Sequence, residues 1–188
     1  EGVQNNGIIN HYEYIINSEG TIEIRHVLKP EGKMPLWFPR IGLTLTVSDA
    51  LDQVKWYGRG PQENYPDRKT GYPTGIYAST VQAMYEPYLM PQDYGLRTDV
   101  RWLQLTTDKG IGLQFKMNEW FNFNIYPYST DNLTKAMYTY QLQKQKGMTL
   151  NLDYATTGVG CTARGVFGAY KAMPQEYRRT ISIRPMMK

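Results

Sequence analysis

The chain has 188 residues, 41% hydrophobic and 13% aromatic, with a formal net charge of +4. That length and apolar content exclude a disordered chain and suit one domain with a real core, or part of a larger protein. Bases and acids are interleaved, no apolar run approaches a membrane span and no basic-then-apolar leader opens the chain, so neither nucleic acid nor a membrane is expected as a partner.

The opening run, Glu1 to Gly7, has no initiator methionine, as expected of a processed form or an excised piece. Ile8 to Ile16 is rich in β-branched and aromatic residues, Asn17 to Gly20 forms a turn, and Thr21 to Leu28 alternates polar with apolar. Together they predict a hairpin with one wet face. His11 and His26 lie on its two strands, away from any nucleophile or carboxylate cluster, and are expected as surface or half-buried strand residues. Lys29 to Pro35 reads as a loop, and Phe38 to Val47 as a strand with Leu43, Leu45 and Val47 on one face.

Val54 to Arg59 begins the next strand and delivers the densest stretch of the chain. Trp56-Tyr57-Gly58-Arg59-Gly60-Pro61-Gln62-Glu63-Asn64-Tyr65-Pro66-Asp67-Arg68 gathers rings, carboxylates and guanidinium groups in one loop. Tyr65 to Ser79 reads as a loop and Thr80 to Tyr85 as a short strand. Glu86 to Gly95 is a second loop of prolines, rings and polar planar groups. Leu96 to Leu105 alternates again, Asp108-Lys109-Gly110 turns, and Ile111 to Met117 returns as the other arm of a hairpin.

Phe121 to Tyr126 alternates ring and amide, predicting one apolar face and one lined with amides. Ser129 or Thr130 can cap a short helix through Ala136. Thr139 to Leu142, Met148 to Tyr154 and Thr180 to Ile183 complete the strands, separated by turns at Lys146-Gly147, Thr157 to Gly160 and Met173 to Gln175. About ten short strands with turn signals between them predict an antiparallel all-β sandwich.

No phosphate-cradling glycine loop, nucleophile elbow or metal-spaced cluster is visible. Cys161 is the single cysteine, so it has no internal disulfide partner, and it reads as a small buried apolar residue. Glu63 with Asp67, or Glu86 with Asp93, could pair for glycoside hydrolysis. Each lies near Arg59, Arg68, Arg97 or Arg101, so ion pairs that pin long loops to the sheet are the expected role.

The run from Arg59 to Arg68 resembles the signature of the C-terminal domain of the bacterial β-galactosidases of glycoside hydrolase family 2, also called the β-galactosidase small chain. Phe38-Pro39-Arg40-Ile41-Gly42, Tyr88 to Arg97 with Gln92 and Asp93, Leu150 to Tyr154 and Gly158-Val159-Gly160 are similar to further family segments in the same order. The resemblance implies a single domain over 1–188, a β-sandwich of the galactose-mutarotase-like type lacking its first strands, from a larger multidomain glycosidase. It implies a signature loop of Arg59, Glu63, Asn64, Tyr65, Asp67 and Arg68 and a second loop of Gln92, Asp93 and Arg97. It places the catalytic glutamates in a separate (β/α)₈ barrel, so this chain holds no catalytic or metal site of its own. The family often uses magnesium and sodium in another domain.

The implied partners are that barrel, the other domains and a galactoside substrate, with room for a homo-oligomer. Bacterial cytoplasm and periplasm both stay open as compartments. Family members reach the substrate with a tryptophan shortly after the glycine-x-glycine turn. Cys161 to Phe167 has none, which leaves Arg164 and Phe167 as the substrate-contacting candidates. Two other readings are open. One is a stand-alone carbohydrate-binding sandwich stacking sugars on Trp56, Tyr57, Tyr65, Tyr85 and Tyr88. The other is a mutarotase-like epimerase with His11 or His26 as acid and Glu63 or Asp93 as base.

Overall fold

The computed structural model describes residues 6–160 and 165–187. Nine strands carry the fold: β1 (Gly7–Ile16), β2 (Ile22–Glu31), β3 (Arg40–Val47), β4 (Gln53–Arg59), β5 (Thr74–Thr80), β6 (Arg97–Thr106), β7 (Gly112–Tyr126), β8 (Met148–Thr156) and β9 (Tyr177–Met186). The one α-helix among the described residues, α1 (Thr130–Lys135), is capped by the Ser129 hydroxyl, which accepts from the Asn132 amide. It is far too short to cross a membrane.

Every strand pair is antiparallel, and the sheet forks at β7. One edge of β7 pairs with β6, and beyond it lie β4 and β5. Its other edge is shared: Gly112 to Met117 pairs with β9, leading to β2 and β1, whereas Asn122 to Tyr126 pairs with β8, leading to β3. Both branches and the β6–β4 side contribute to one apolar core, with Phe115, Phe121, Phe123 and Ile125 of β7 meeting Trp56, Leu103, Leu152 and Ile181. The all-β antiparallel fold class expected from the alternating pattern therefore holds. Phe121, Phe123 and Ile125 point into this core while Asn122, Asn124 and Tyr126 take the opposite face, as the period of two requires.

Several elements differ from the sequence reading. β2 continues through Lys29 and Pro30 because the hairpin register with β1 extends to Gly7 opposite Glu31. β5 lies inside the stretch read as a loop, paired along its whole length with β4. Thr80 to Tyr85 is a turn: the Thr80 hydroxyl accepts from the Ala83 amide, and Val81 and Met84 are buried at helical spacing. Thr139 to Gln141 is a 3₁₀ turn, because the Gln141 side-chain carbonyl accepts from the Met137 and Tyr138 amides and closes the chain locally. The two segments Ile111 to Met117 and Phe121 to Tyr126 are one strand with a bulge between them opposite Arg101.

His26 is fully buried rather than at or near the surface. Tyr12 stacks on its ring at 4.1 Å, Nε2 lies 3.0 Å from the Asn10 side-chain oxygen, and Nδ1 lies 2.7 Å from the Tyr154 hydroxyl. Because the amide oxygen only accepts, Nε2 carries the proton and Nδ1 accepts from Tyr154. Burial lowers its pKa from the ordinary histidine value. His11 is exposed on β1.

Candidate functional site: a groove where three loops meet

Strand β4 ends at Arg59, and the loop that follows is held at each of its charged positions. Arg59 Nε lies 2.5 Å from Asp99 Oδ2, and its Nη1 donates to the carbonyls of Lys69 and Tyr72 at 3.0 Å each. Lys69 joins the same carboxylate at 2.8 Å. Burial pushes the Asp99 carboxyl up, but Lys69 and Arg59 outweigh it and hold the pKa below the usual value. Asn64 is buried; its side-chain oxygen accepts from the Thr98 amide (3.1 Å) and hydroxyl (2.5 Å), tying the loop to β6.

Glu63 is buried and accepts from four donors: Arg68 Nη2 at 2.9 Å, the Gly95 amide at 2.9 Å, the Tyr65 hydroxyl at 3.2 Å and the Tyr88 hydroxyl. Such saturation leaves a carboxylate no lone pair for proton transfer, and it joins the signature loop to the second loop. Burial, then the charge of Glu63, raises the Tyr65 hydroxyl above its ordinary value, so Tyr65 acts as a donor. The Arg68 guanidinium lies 5.3 Å from the centre of the Tyr65 ring. Asp67 makes no ion pair among the described residues. Its two oxygens accept from the amides of Val159 (3.0 Å) and Gly160 (2.7 Å), locking the Thr157 to Gly160 turn onto the loop. A Cβ at Gly158 would stand 2.3 Å from the Asp67 carboxyl carbon, so that turn needs glycine there.

In the second loop, Arg97 is buried without a carboxylate at ion-pair distance among the described residues. It donates to the carbonyls of Pro61 (3.1 Å) and Gly95 (2.8 Å) and lies 5.5 Å from the Trp56 ring centre. Burial lowers it to about 10, so it stays a cation at neutral pH. Glu86, raised by burial and then by the charge of Glu63, acts on Arg97 only through the field.

Asp93 stands at the centre of a polar floor. Its Oδ1 accepts from Asn124 (2.9 Å), the Tyr126 hydroxyl (3.0 Å) and Arg40 (3.4 Å). Arg40 also reaches Asp153 at 2.9 Å, a carboxyl that is fully buried on β8. Burial pushes Asp153 up to about 7 against the pull of Arg40, and the nearby charge of Asp93 adds to the rise.

These loops enclose a groove of about 840 Å³ between Trp37, Arg40, Tyr65, Arg68, Tyr88 and Asp93, with Gln92 and the Gly158-Val159 turn on its wall. Val166 also lines it, and Phe167 beside it is 66% exposed. Arg164 lies outside the described residues, as does Cys161. Trp56 and Tyr65 are buried, so neither offers a ring face to a sugar, whereas Tyr88 lines the groove. Both ring nitrogens of His26 are engaged by Asn10 and Tyr154, and neither Glu63 nor Asp93 is its partner, so no epimerase pair forms around it. Sequence reasoning missed Arg40, Asp153 and Trp37 as part of this site. Arg40 and Asp153 lie in two of the segments similar to the family, and the ring-amide alternation of β7 marked a polar layer that needs charged partners; nothing in the sequence marked Trp37. No group of three or more His, Cys, Asp and Glu side chains is placed to hold a metal among the described residues.

The family model for the β-galactosidase small chain matches residues 3–183. The chain belongs to the β-galactosidase small chain family. Similar members include the β-galactosidases of Priestia megaterium (38% identity over 147 residues), Vibrio cholerae (39% over 122) and Pseudoalteromonas haloplanktis (34% over 148). These matches cover 78%, 65% and 78% of this chain but only 14%, 11% and 14% of the relatives. The chain thus corresponds to a small part of much larger β-galactosidases.

Proposed function

We propose that this small-chain domain serves a β-galactosidase that hydrolyses terminal β-D-galactosyl residues, bracing the catalytic (β/α)₈ barrel and edging the galactoside site. The barrel supplies the two glutamates, and any magnesium or sodium is held in another domain. The groove between the signature loop, the second loop and the Thr157 to Gly160 turn carries this reading. Its ring faces suit the apolar faces of a sugar, while Asp93, Gln92 and Arg68 suit its hydroxyls. Asp67 fixes the Thr157 to Gly160 turn on the groove wall through the Val159 and Gly160 amides, and Phe167 stands exposed beside Val166, which lines the groove.

The test uses the whole parent enzyme and a chromogenic β-galactoside. Phe167→Ala and Arg164→Ala are expected to lower kcat/KM by about tenfold, equivalent to about 1.4 kcal/mol of transition-state binding. The isolated chain is expected to show no turnover. Hydrolysis by the chain alone at enzyme-like rates would overturn the assignment of catalysis to another domain. The same groove also supports a second reading, a sugar-binding module active by itself. Calorimetric titration of galactose into the isolated chain separates the two, since the bracing role predicts weak or absent binding.

A further inference from the structure

A second arrangement of rings and cations stands on the solvent side of β4, β6 and β7, and the depression beside it shares no lining residue with the groove. Along β4 and β6 three cross-strand pairs point outward: Gln53 with Thr106, Lys55 with Gln104, and Tyr57 with Trp102. The first two pairs border a depression of about 450 Å³ lined by amides, hydroxyls, Val54, Ala78, the Lys55 ammonium and the Asp108 carboxylate. The third pair is the aromatic centre of a row that runs from Ile76 on β5, 61% exposed, through Tyr57 and Trp102 to Lys116 on β7.

The bulges create the rest. Register shifts on both sides of Val100 leave Val100 in the core while Arg101 emerges beside Trp102. The bulged part of β7 lifts Trp120 out of the sheet, 60% exposed, beneath the Arg101 guanidinium, which stacks 3.9 Å from the centre of that ring and 5.2 Å from that of Tyr57. Arg101 also donates to the Asp99 carbonyl. Its position is therefore fixed before any ligand arrives. Among the described residues no carboxylate lies within ion-pair distance of Arg101, Lys55 or Lys116.

We infer that this face is a second carbohydrate site that takes an acidic glycan, one bearing uronic carboxylates. The rings of Tyr57, Trp102 and Trp120 offer stacking surface to the C–H faces of sugar units. Gln53, Gln104 and Thr106 match hydroxyls, and three outward pairs at two-residue spacing span about 13 Å, the reach of a short oligosaccharide. Charge decides the class. A preorganised guanidinium and two unneutralised ammonium groups repel a second copy of the same face and attract a carboxylate in bidentate geometry. A neutral galactoside would use the rings and amides but leave the cations without partners.

The test titrates the full 188-residue chain with an oligogalacturonide, a neutral galacto-oligosaccharide of equal length and a Glu-rich peptide, followed by isothermal calorimetry. The oligogalacturonide is expected to bind saturably, at least about tenfold more tightly than either competitor, and to weaken as salt rises. Trp120→Ala alters an exposed side chain, and Arg101→Gln alters a half-buried one while keeping an amide that can donate to the Asp99 carbonyl; both should keep the wild-type melting curve while weakening binding by about tenfold each. Arg68→Ala, in the groove, should leave this binding unchanged, so failure here is distinct from failure of the groove reading. Absence of saturation, equal binding of the neutral sugar, or tighter binding of the peptide would each overturn the proposal.

Discussion

Asp153 and Arg40 show how a charge pair can sit in the interior at a cost. The Asp153 carboxyl is fully buried, and its folded pKa near 7 lies above the ordinary aspartate value. The folded state therefore binds the proton more tightly than the unfolded chain, so this group adds stability that is complete at low pH and is lost as pH rises toward and through about 7. Buried His26 has the opposite sign: its pKa is lowered, so its contribution is present above about pH 6.5, the ordinary value, and is lost as pH falls. Urea unfolding across pH 4 to 8 separates them. Asp153→Asn is expected to remove the loss of stability toward neutral pH while keeping the acid-side loss due to His26. An unchanged slope between pH 5 and 8 in that variant would show that Arg40 holds Asp153 ionised throughout.

At the scale of elements, the signature loop earns its composition by joining parts that are distant in sequence. Arg59 holds the loop to the start of β6, Asn64 holds it to Thr98, Glu63 fastens the second loop, and Asp67 fastens the turn after β8. The expectation that these residues act as a lock was legible in the sequence because so many charged and planar groups in one loop need partners. The partners themselves were not legible, since they depend on which strands become neighbours. Asp67 receives backbone amides where an arginine was expected, a geometry no spacing rule signals. Gly158→Ala pushes a methyl group into the Asp67 carboxyl and is expected to cost about 1–3 kcal/mol, as is Asp67→Ala. The double variant should cost clearly less than the sum, because both changes release the same contact. Additive losses in urea unfolding would mean that the turn does not lean on Asp67.

Across the whole molecule, alternating apolar residues foretold most of the strands, and the cooperating faces of β7 were read correctly from Phe121 to Tyr126. The failures fall where local chemistry competes with period. Thr80 and Gln141 close turns with their own side chains, and β5 hides in a stretch punctuated by Pro66, Gly71, Pro73 and Gly75. The burial of His26 follows from the pairing of β1, β2 and β9 and the position of β8, which the histidine alone does not announce. Because all branches share one core around Trp56, the chain should unfold in a single transition, coincident by fluorescence and far-UV circular dichroism. Trp56→Ala is expected to lower stability by about 3–5 kcal/mol without splitting that transition. Two separate transitions would show that the arms on either side of β7 are independent.

The fork at β7 also sets how this domain tolerates changes of length. Met117 is the last residue of β7 paired to β9, and Asn122 is the first paired to β8, so the bulge between them belongs to neither ladder. Elsewhere in the strand, one added or lost residue would turn every following side chain to the wrong face. At the bulge the extra length leaves the plane of the sheet instead, and each half of β7 keeps its own partners. The stretch around Trp120 is the slack in an otherwise taut sheet: a change of length there would leave the core and the groove in register and would act only on the ring held beneath Arg101.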